Sequence, residues 1–158
     1  MSKELKLAWA AGFFDGEGSV VIELSVSKGS TFGQRTSLHA TVTQTSTECL
    51  DIFVDMFGGN IKACEHTLPH SRRWAVQYTW SVRNEKAIAF LKQILPYTVV
   101  KKEQIKVALK YPMYNESGRK FGSLAAPIPL EVWETRLKLR QELKDIRASM
   151  KTMAVVRH

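Results

Sequence analysis

Hydrophobic and polar positions alternate along this chain with two different periods, and the switches between them outline the elements. Residues 4 to 14 are apolar on most sides and read as a helix. From Ser19 the period becomes two: Val20, Ile22, Leu24 and Val26 alternate with Val21, Glu23, Ser25 and Ser27, as in a half-buried strand. The turn-forming stretch SKGSTFG precedes a second strand, with Leu38, Ala40 and Val42 on one side and Arg35, Ser37, His39 and Thr41 on the other. TSTECLDIFVDMFGG combines a Ser/Thr start, helical apolar spacing and a glycine stop. NIKACEH then reads as a short strand, TLPHSRR as a turn and WAVQYTWSV as a strong strand. A helix capped at Asn84 runs to Leu95, Pro96 interrupts, and a basic helix spans about Thr98 to Lys110. A loop rich in proline and glycine covers residues 112 to 129. The last helix, about Leu130 to Met150, has Trp133, Leu137, Leu143 and Ile146 on one side and a basic face opposite.

The order reads αββαββαα: an α+β fold with a four-stranded antiparallel sheet and helices packed on one side. Residues 1–158 are expected to form one domain, with a core over about residues 5–110 and a C-terminal loop and helix over 111–158. The other side of the sheet would face water. It would present Glu23, Ser25, Ser27, Arg35, Ser37, His39, Thr41, Lys62, His66, Arg73, Gln77 and Thr79. Short hydrogen-bonding side chains mixed with bases suit the reading of base edges in a major groove, and equally suit a solvated face.

Charge sharpens that choice. Lys plus Arg number 23 against 15 acids, a net charge of +8, which suits a polyanion-binding protein. No apolar run approaches the roughly 18 residues of a membrane span. No signal-peptide pattern opens the chain, and Cys49 and Cys64 lack metal-type spacing. An intracellular, non-secreted setting that contains nucleic acid is expected: the cytoplasm or nucleoid of a prokaryote, or an organelle matrix.

The opening LAWAAGFFDGEGS carries the sharpest chemistry. Ala8, Ala11 and Gly12 leave little side chain on a helix seam, so a second helix can approach closely, and a second subunit is the obvious source. Asp15 and Glu17 then sit at a helix C-terminus, where the dipole disfavours them. Two-fold symmetry would crowd two such ends together, which calls for a divalent metal; one or two carboxylates plus substrate phosphates is the usual ligand set for Mg²⁺.

With these residues in place the chain resembles the LAGLIDADG homing endonucleases, specifically the single-motif members that act as homodimers. The resemblance runs through VTQTS and LPYTVVKKEQIKVALK, over roughly residues 5 to 110. It implies a saddle-shaped sheet in the major groove of double-stranded DNA and a motif-helix dimer seam. It also implies metal-dependent cleavage of both strands at a long, nearly palindromic site, leaving 5′-phosphates and short 3′ overhangs, in support of intron homing. Mg²⁺ would be the cofactor, with Mn²⁺ able to substitute and Ca²⁺ supporting binding without cleavage.

Position by position, the resemblance makes Glu17 a metal ligand and the Gly16 carbonyl a second. Asp15 reads instead as helix-end structure. Gln44 would orient water, and Lys101 would polarise it or stabilise the pentacovalent phosphate. Some relatives carry a basic residue four positions past the glutamine, where this chain has Glu48; that leaves the role to Arg35, Lys102 or no residue. Two other readings fit the same scaffold: an RNA-binding splicing maturase and a DNA-binding regulator that never cuts.

Overall fold

The computed structural model describes residues 1–64, 76–114 and 128–156. Its elements are α1 (Lys3–Glu17), β1 (Gly18–Val26), β2 (Gln34–Gln44), α2 (Glu48–Phe57), β3 (Asn60–Cys64), β4 (Gln77–Arg83), α3 (Asn84–Ile94), a 3₁₀ turn (Leu95–Tyr97), α4 (Lys102–Ala108) and α5 (Leu130–Val156). Among the described residues three helices follow the last strand, so the order is αββαββααα. The helices on either side of Pro96 are separate elements.

All strand pairs are antiparallel, in the order β1-β2-β4-β3. The register pairs Val20 with Ala40, Ile22 with Leu38 and Val42 with Trp80, so the apolar sets share one face as the alternation requires. That face meets Ala10, Ala11 and Phe14 of α1, Leu50 and Phe53 of α2, and Phe90, Leu91 and Ile94 of α3, all buried. Phe53, Trp80 and Phe90 form its aromatic centre, with ring centroids 4.9 to 6.1 Å apart. Trp80 keeps its indole N–H satisfied by donating to the Gly58 carbonyl at 2.8 Å. Gly59, at φ +94°, allows the tight exit from α2; a Cβ there would lie 2.6 Å from the Ser81 carbonyl.

Several local expectations shift. α1 runs three residues past Phe14, through the acidic turn, and stops at Gly18. A side chain at Gly18 would strike the Phe14 ring at 2.2 Å. Asn84 does not cap α3: it sits at φ +48°, and its Oδ1 accepts from Leu38 N at 3.0 Å and Ser37 Oγ at 3.3 Å, tying α3 to β2. α4 begins at Lys102 rather than near Thr98, because the preceding turn is held by Asp15.

α5 differs most. Its buried positions are Trp133, Arg136, Leu139 and Leu143, whereas the sequence places arginines on the outer, basic face. β1 is an edge strand whose outward carbonyls need donors. Arg140 Nε donates to the Ile22 carbonyl at 3.2 Å, and Arg147 Nη2 donates to the Val20 carbonyl. The arginine stems pack while their heads close the edge. Among the described residues, no helix is long and apolar enough to cross a membrane.

Candidate functional site

The site begins where α1 meets β1. Phe14 anchors the helix end in the core, and its carbonyl accepts from the Gly18 N–H. The next residue, Asp15, turns its carboxylate onto three consecutive backbone N–H groups: Val99 at 2.7 Å, Val100 at 3.2 Å and Lys101 at 2.9 Å. Successive N–H groups converging on one anion form a nest. Lys101 Nζ reciprocates by donating to the Asp15 carbonyl. The dipole's cost for a carboxylate at this helix end is therefore offset, for Asp15, within the chain itself. Asp15 is helix-end structure.

Gly16 and Glu17 come next and both are exposed. Lys101 is half-buried beside them. Burial pushes its pKa down, opposed by the charges of Asp15 and Glu17 and reinforced by Arg147. Gln44 is half-buried at the end of β2, two residues past Val42, the partner of Gly18. The strand register thus carries Gln44 to the same end of the sheet as Glu17.

Arg147 is the residue that sequence reasoning missed. Reaching over from α5, its Nη2 donates to Ser19 Oγ at 3.1 Å as well as to the Val20 carbonyl, directly after the acidic turn. Glu48, by contrast, is exposed at the start of α2. A signal for Arg147 existed in the spacing: Arg136, Arg140 and Arg147, four and seven residues apart, lie along one line of α5 with Leu143.

The polar sheet face assembles as its alternation requires. Cross-strand pairing sets Ser25 beside Arg35, Glu23 beside Ser37, and Lys62 beside Thr79, while Gln77 pairs with Cys64. Thr43 and Thr79 share a hydrogen bond of 2.9 Å. Thr41 lies on the same face, opposite Ser19 and Ser81.

His39 is on this face but not available from it. Flanked by Val21 and Arg83, it is only 7% exposed, so it supports the surface rather than offering its ring. Its Nε2 lies 3.1 Å from Glu23 Oε2 without hydrogen-bond geometry. Burial, with the charge of Arg83, lowers its pKa against the opposing charge of Glu23. Ser27 belongs to the β1–β2 turn, where its N–H donates to the Gly33 carbonyl. His66 and Arg73 lie outside the described residues.

The proposed seam divides as well. Ala11 is fully buried in the chain's own core, which removes it from any contact with a partner. Ala8 and Gly12 are exposed on the neighbouring stripe of α1, in line with the exposed Leu5. A Cβ built on Gly12 or Gly16 would meet nothing within 4 Å, so nothing inside the described chain requires glycine at either position.

No three His, Cys, Asp or Glu side chains converge among the described residues. What the acidic turn offers is one exposed carboxylate and a neighbouring backbone carbonyl, both hard oxygen donors. That is a fitting part of a set for a hard divalent ion, which is completed by water and substrate phosphate.

No family model and no curated protein sequence matches this chain. Solved structures do. The archaeal intron-encoded homing endonuclease I-Vdi141I, complexed with DNA, superposes with a TM-score of 0.66 at 20% identity, covering 91% of this chain and 85% of that one. The homing endonuclease I-CvuI, in complex with its target in 2 mM Ca, gives 0.58 at 20% identity, over 86% and 95%. The I-LtrWI LAGLIDADG homing endonuclease, bound to target DNA, gives 0.59 at 15% identity, over 90% of this chain and 45% of that one. The fold is that of the LAGLIDADG homing endonucleases. At these identities the likeness is one of fold, and it extends past α4: the coverage of I-Vdi141I and I-CvuI exceeds the stretch over which the LAGLIDADG motif and its neighbours can be followed in sequence.

Proposed function

We propose that this chain is one subunit of a homodimeric, divalent-metal-dependent DNA endonuclease that breaks both strands of a long, nearly palindromic site in support of intron homing. The observation that carries the reading is the placement of exposed Glu17 beside Lys101, at the end of a sheet whose polar face is lined by Ser, Thr, Gln and Arg. The fold neighbours that bind DNA support it. So does the match to less than half of the I-LtrWI chain, as expected of half a DNA-binding unit.

In this reading Glu17 and the Gly16 carbonyl would hold Mg²⁺. When bound, the ion would lower the pKa of a water molecule and neutralise charge on the phosphate. Gln44 orients the attacking water by hydrogen bonding. Lys101, fixed by Asp15, presents a cation to the phosphate oxygens. The sheet face reads base edges, each good contact contributing about 1–3 kcal/mol of discrimination. Leu5, Ala8 and Gly12 form the seam with the partner helix and bring two acidic turns to the two scissile phosphates.

The test is a cleavage selection from a randomised duplex library, in Mg²⁺ and in Ca²⁺. Recovery of one near-palindromic site cut on both strands in Mg²⁺ only is the expected result. Enrichment of bound but never cut DNA would replace this reading with a non-cleaving regulator.

A further inference from the structure

At the end of the sheet away from the acidic turn, β2 begins, β4 ends and the chain passes directly from Arg83 into α3. A cavity of about 500 Å³ opens there, and among the described residues of its lining Arg83, Lys86 and Arg136 stand with one carboxylate, that of Glu85. Arg136 is the informative member. It is 4% exposed, yet its hydrogen bonds go to neutral acceptors: Nε and Nη2 to the Pro112 carbonyl at 3.1 and 3.0 Å, and Nη1 to Thr36 Oγ1 at 3.4 Å. The Tyr111 ring lies 4.7 Å from its guanidinium carbon. A guanidinium has five N–H donors, so two remain. Among the described residues no carboxylate pairs with it, and burying a cation without an anion is costly.

α3 adds to the same potential. Its first turn borders the cavity, and no side chain caps it, because Asn84 spends its Oδ1 on Leu38 and Ser37. The open N–H groups and the positive end of the helix dipole thus face the region that already holds Arg83, Lys86 and Arg136.

We propose that this cavity binds a phosphate group. Donors converge on it from β4, α3 and α5, which suits a tetrahedral oxyanion, and guanidinium forks match phosphate oxygens. Arg35 and Arg83, which alternate onto the polar face of the sheet, both line the cavity. On the DNA-binding reading above, on which this assignment of the source rests, the group is a backbone phosphate beside the base pairs that the sheet reads. A free phosphate would satisfy the same donors.

The experiment compares wild type with Arg83→Ala/Lys86→Ala, two exposed positions whose loss leaves the core intact. Melting in sodium phosphate is measured against sodium chloride at equal ionic strength, and binding of a non-specific duplex is measured across a salt series. Phosphate should raise the melting temperature of wild type and not of the double variant. The slope of log Kobs against log[salt] should fall in the variant by about 0.9 for each cavity engaged. Loss of the phosphate effect with an unchanged slope would assign the cavity to free phosphate and overturn the backbone assignment. No phosphate effect in wild type together with an unchanged slope overturns the site. A wild type that phosphate stabilises but that binds no duplex keeps the site and refutes the DNA-binding reading instead.

Discussion

Asp15 and Lys101 hold each other across 86 residues of chain: the carboxylate takes the backbone N–H groups of residues 99 to 101, and the Lys101 ammonium returns to the Asp15 carbonyl. This clamp fixes the end of α1 relative to the entry into α4, and so sets where Glu17 and Lys101 stand. Asp15→Ala leaves the turn's N–H groups without their anion. It should lower the free energy of unfolding by about 1.5–3 kcal/mol, the usual range for a hydrogen bond to a charged group. Glu17→Ala, at an exposed position, should cost far less. Urea midpoints of the two variants make the comparison, and equal midpoints would mean that the clamp is not structural.

Gly12 separates folding from association. Open space surrounds its Cα, so Gly12→Leu fits within the subunit and raises helix propensity by about 0.5–1 kcal/mol. The same side chain would force two seam helices apart. The variant should be as stable as wild type, or more so, and should sediment as a monomer where wild type sediments as a dimer. Dimeric Gly12→Leu would place the subunit contact elsewhere.

Arg147 ties α5 to the strand that leaves the acidic turn. As a basic residue on an outer helix face it would affect only the salt dependence of DNA binding. Its donation to Ser19 and Val20 implies more. Arg147→Met keeps the packing stem but leaves an edge carbonyl and a hydroxyl without their donor. It should destabilise the chain by about 1–2 kcal/mol and slow cleavage by loosening the β1 start. A change confined to the salt slope would restore the simpler view.

These corrections share a cause. Alternation along β1, β2 and β4 states which residues share a face, and the register follows from it, so the sheet, its core and its polar surface could be read directly. Periodicity does not state what lies opposite a face. Ala11 and Gly12 are adjacent on a helix of small residues, yet one meets the core and the other meets solvent. Arg136, Arg140 and Arg147 are polar by any scale, yet they occupy the inner line of α5 because an edge strand and a buried corner need donors. The Asp15–Lys101 clamp spans too much sequence for any local pattern to report it. His66 and Arg73 lie outside the described residues.

His39 should make stability depend on pH. Burial first, and then Arg83, lower its pKa from the ordinary 6.5, while Glu23 opposes them. The folded state therefore favours the neutral ring. Its contribution is complete above 6.5 and is lost as the pH falls below that value, where the unfolded chain takes up the proton first, down to the lowered folded value. Between about pH 7 and pH 5, wild type should lose more stability than His39→Gln. Parallel unfolding curves at both pH values measure this, and equal losses would show that the ring titrates as it does in water.

Glu17→Gln should separate DNA binding from cleavage. Asp15 has its neutralising partners within the chain; Glu17 is exposed at the same helix end, where among the described residues it faces the charge of Lys101. On the proposed mechanism its charge is compensated by Mg²⁺. Gln keeps the size and one carbonyl oxygen but removes the charge, so the ion should be held far more weakly. The seam and the polar sheet face are untouched, so affinity for the selected site should persist, with a slight gain because a carboxylate near phosphates is gone. Cleavage should fall by at least about 10²–10³-fold, the scale of losing one element of charge stabilisation. A gel shift in Ca²⁺ and a cleavage time course in Mg²⁺, on the same duplex, give both readouts. Wild-type cleavage by Glu17→Gln would identify the wrong acid. Loss of binding together with cleavage would place Glu17 in the interface rather than at the metal.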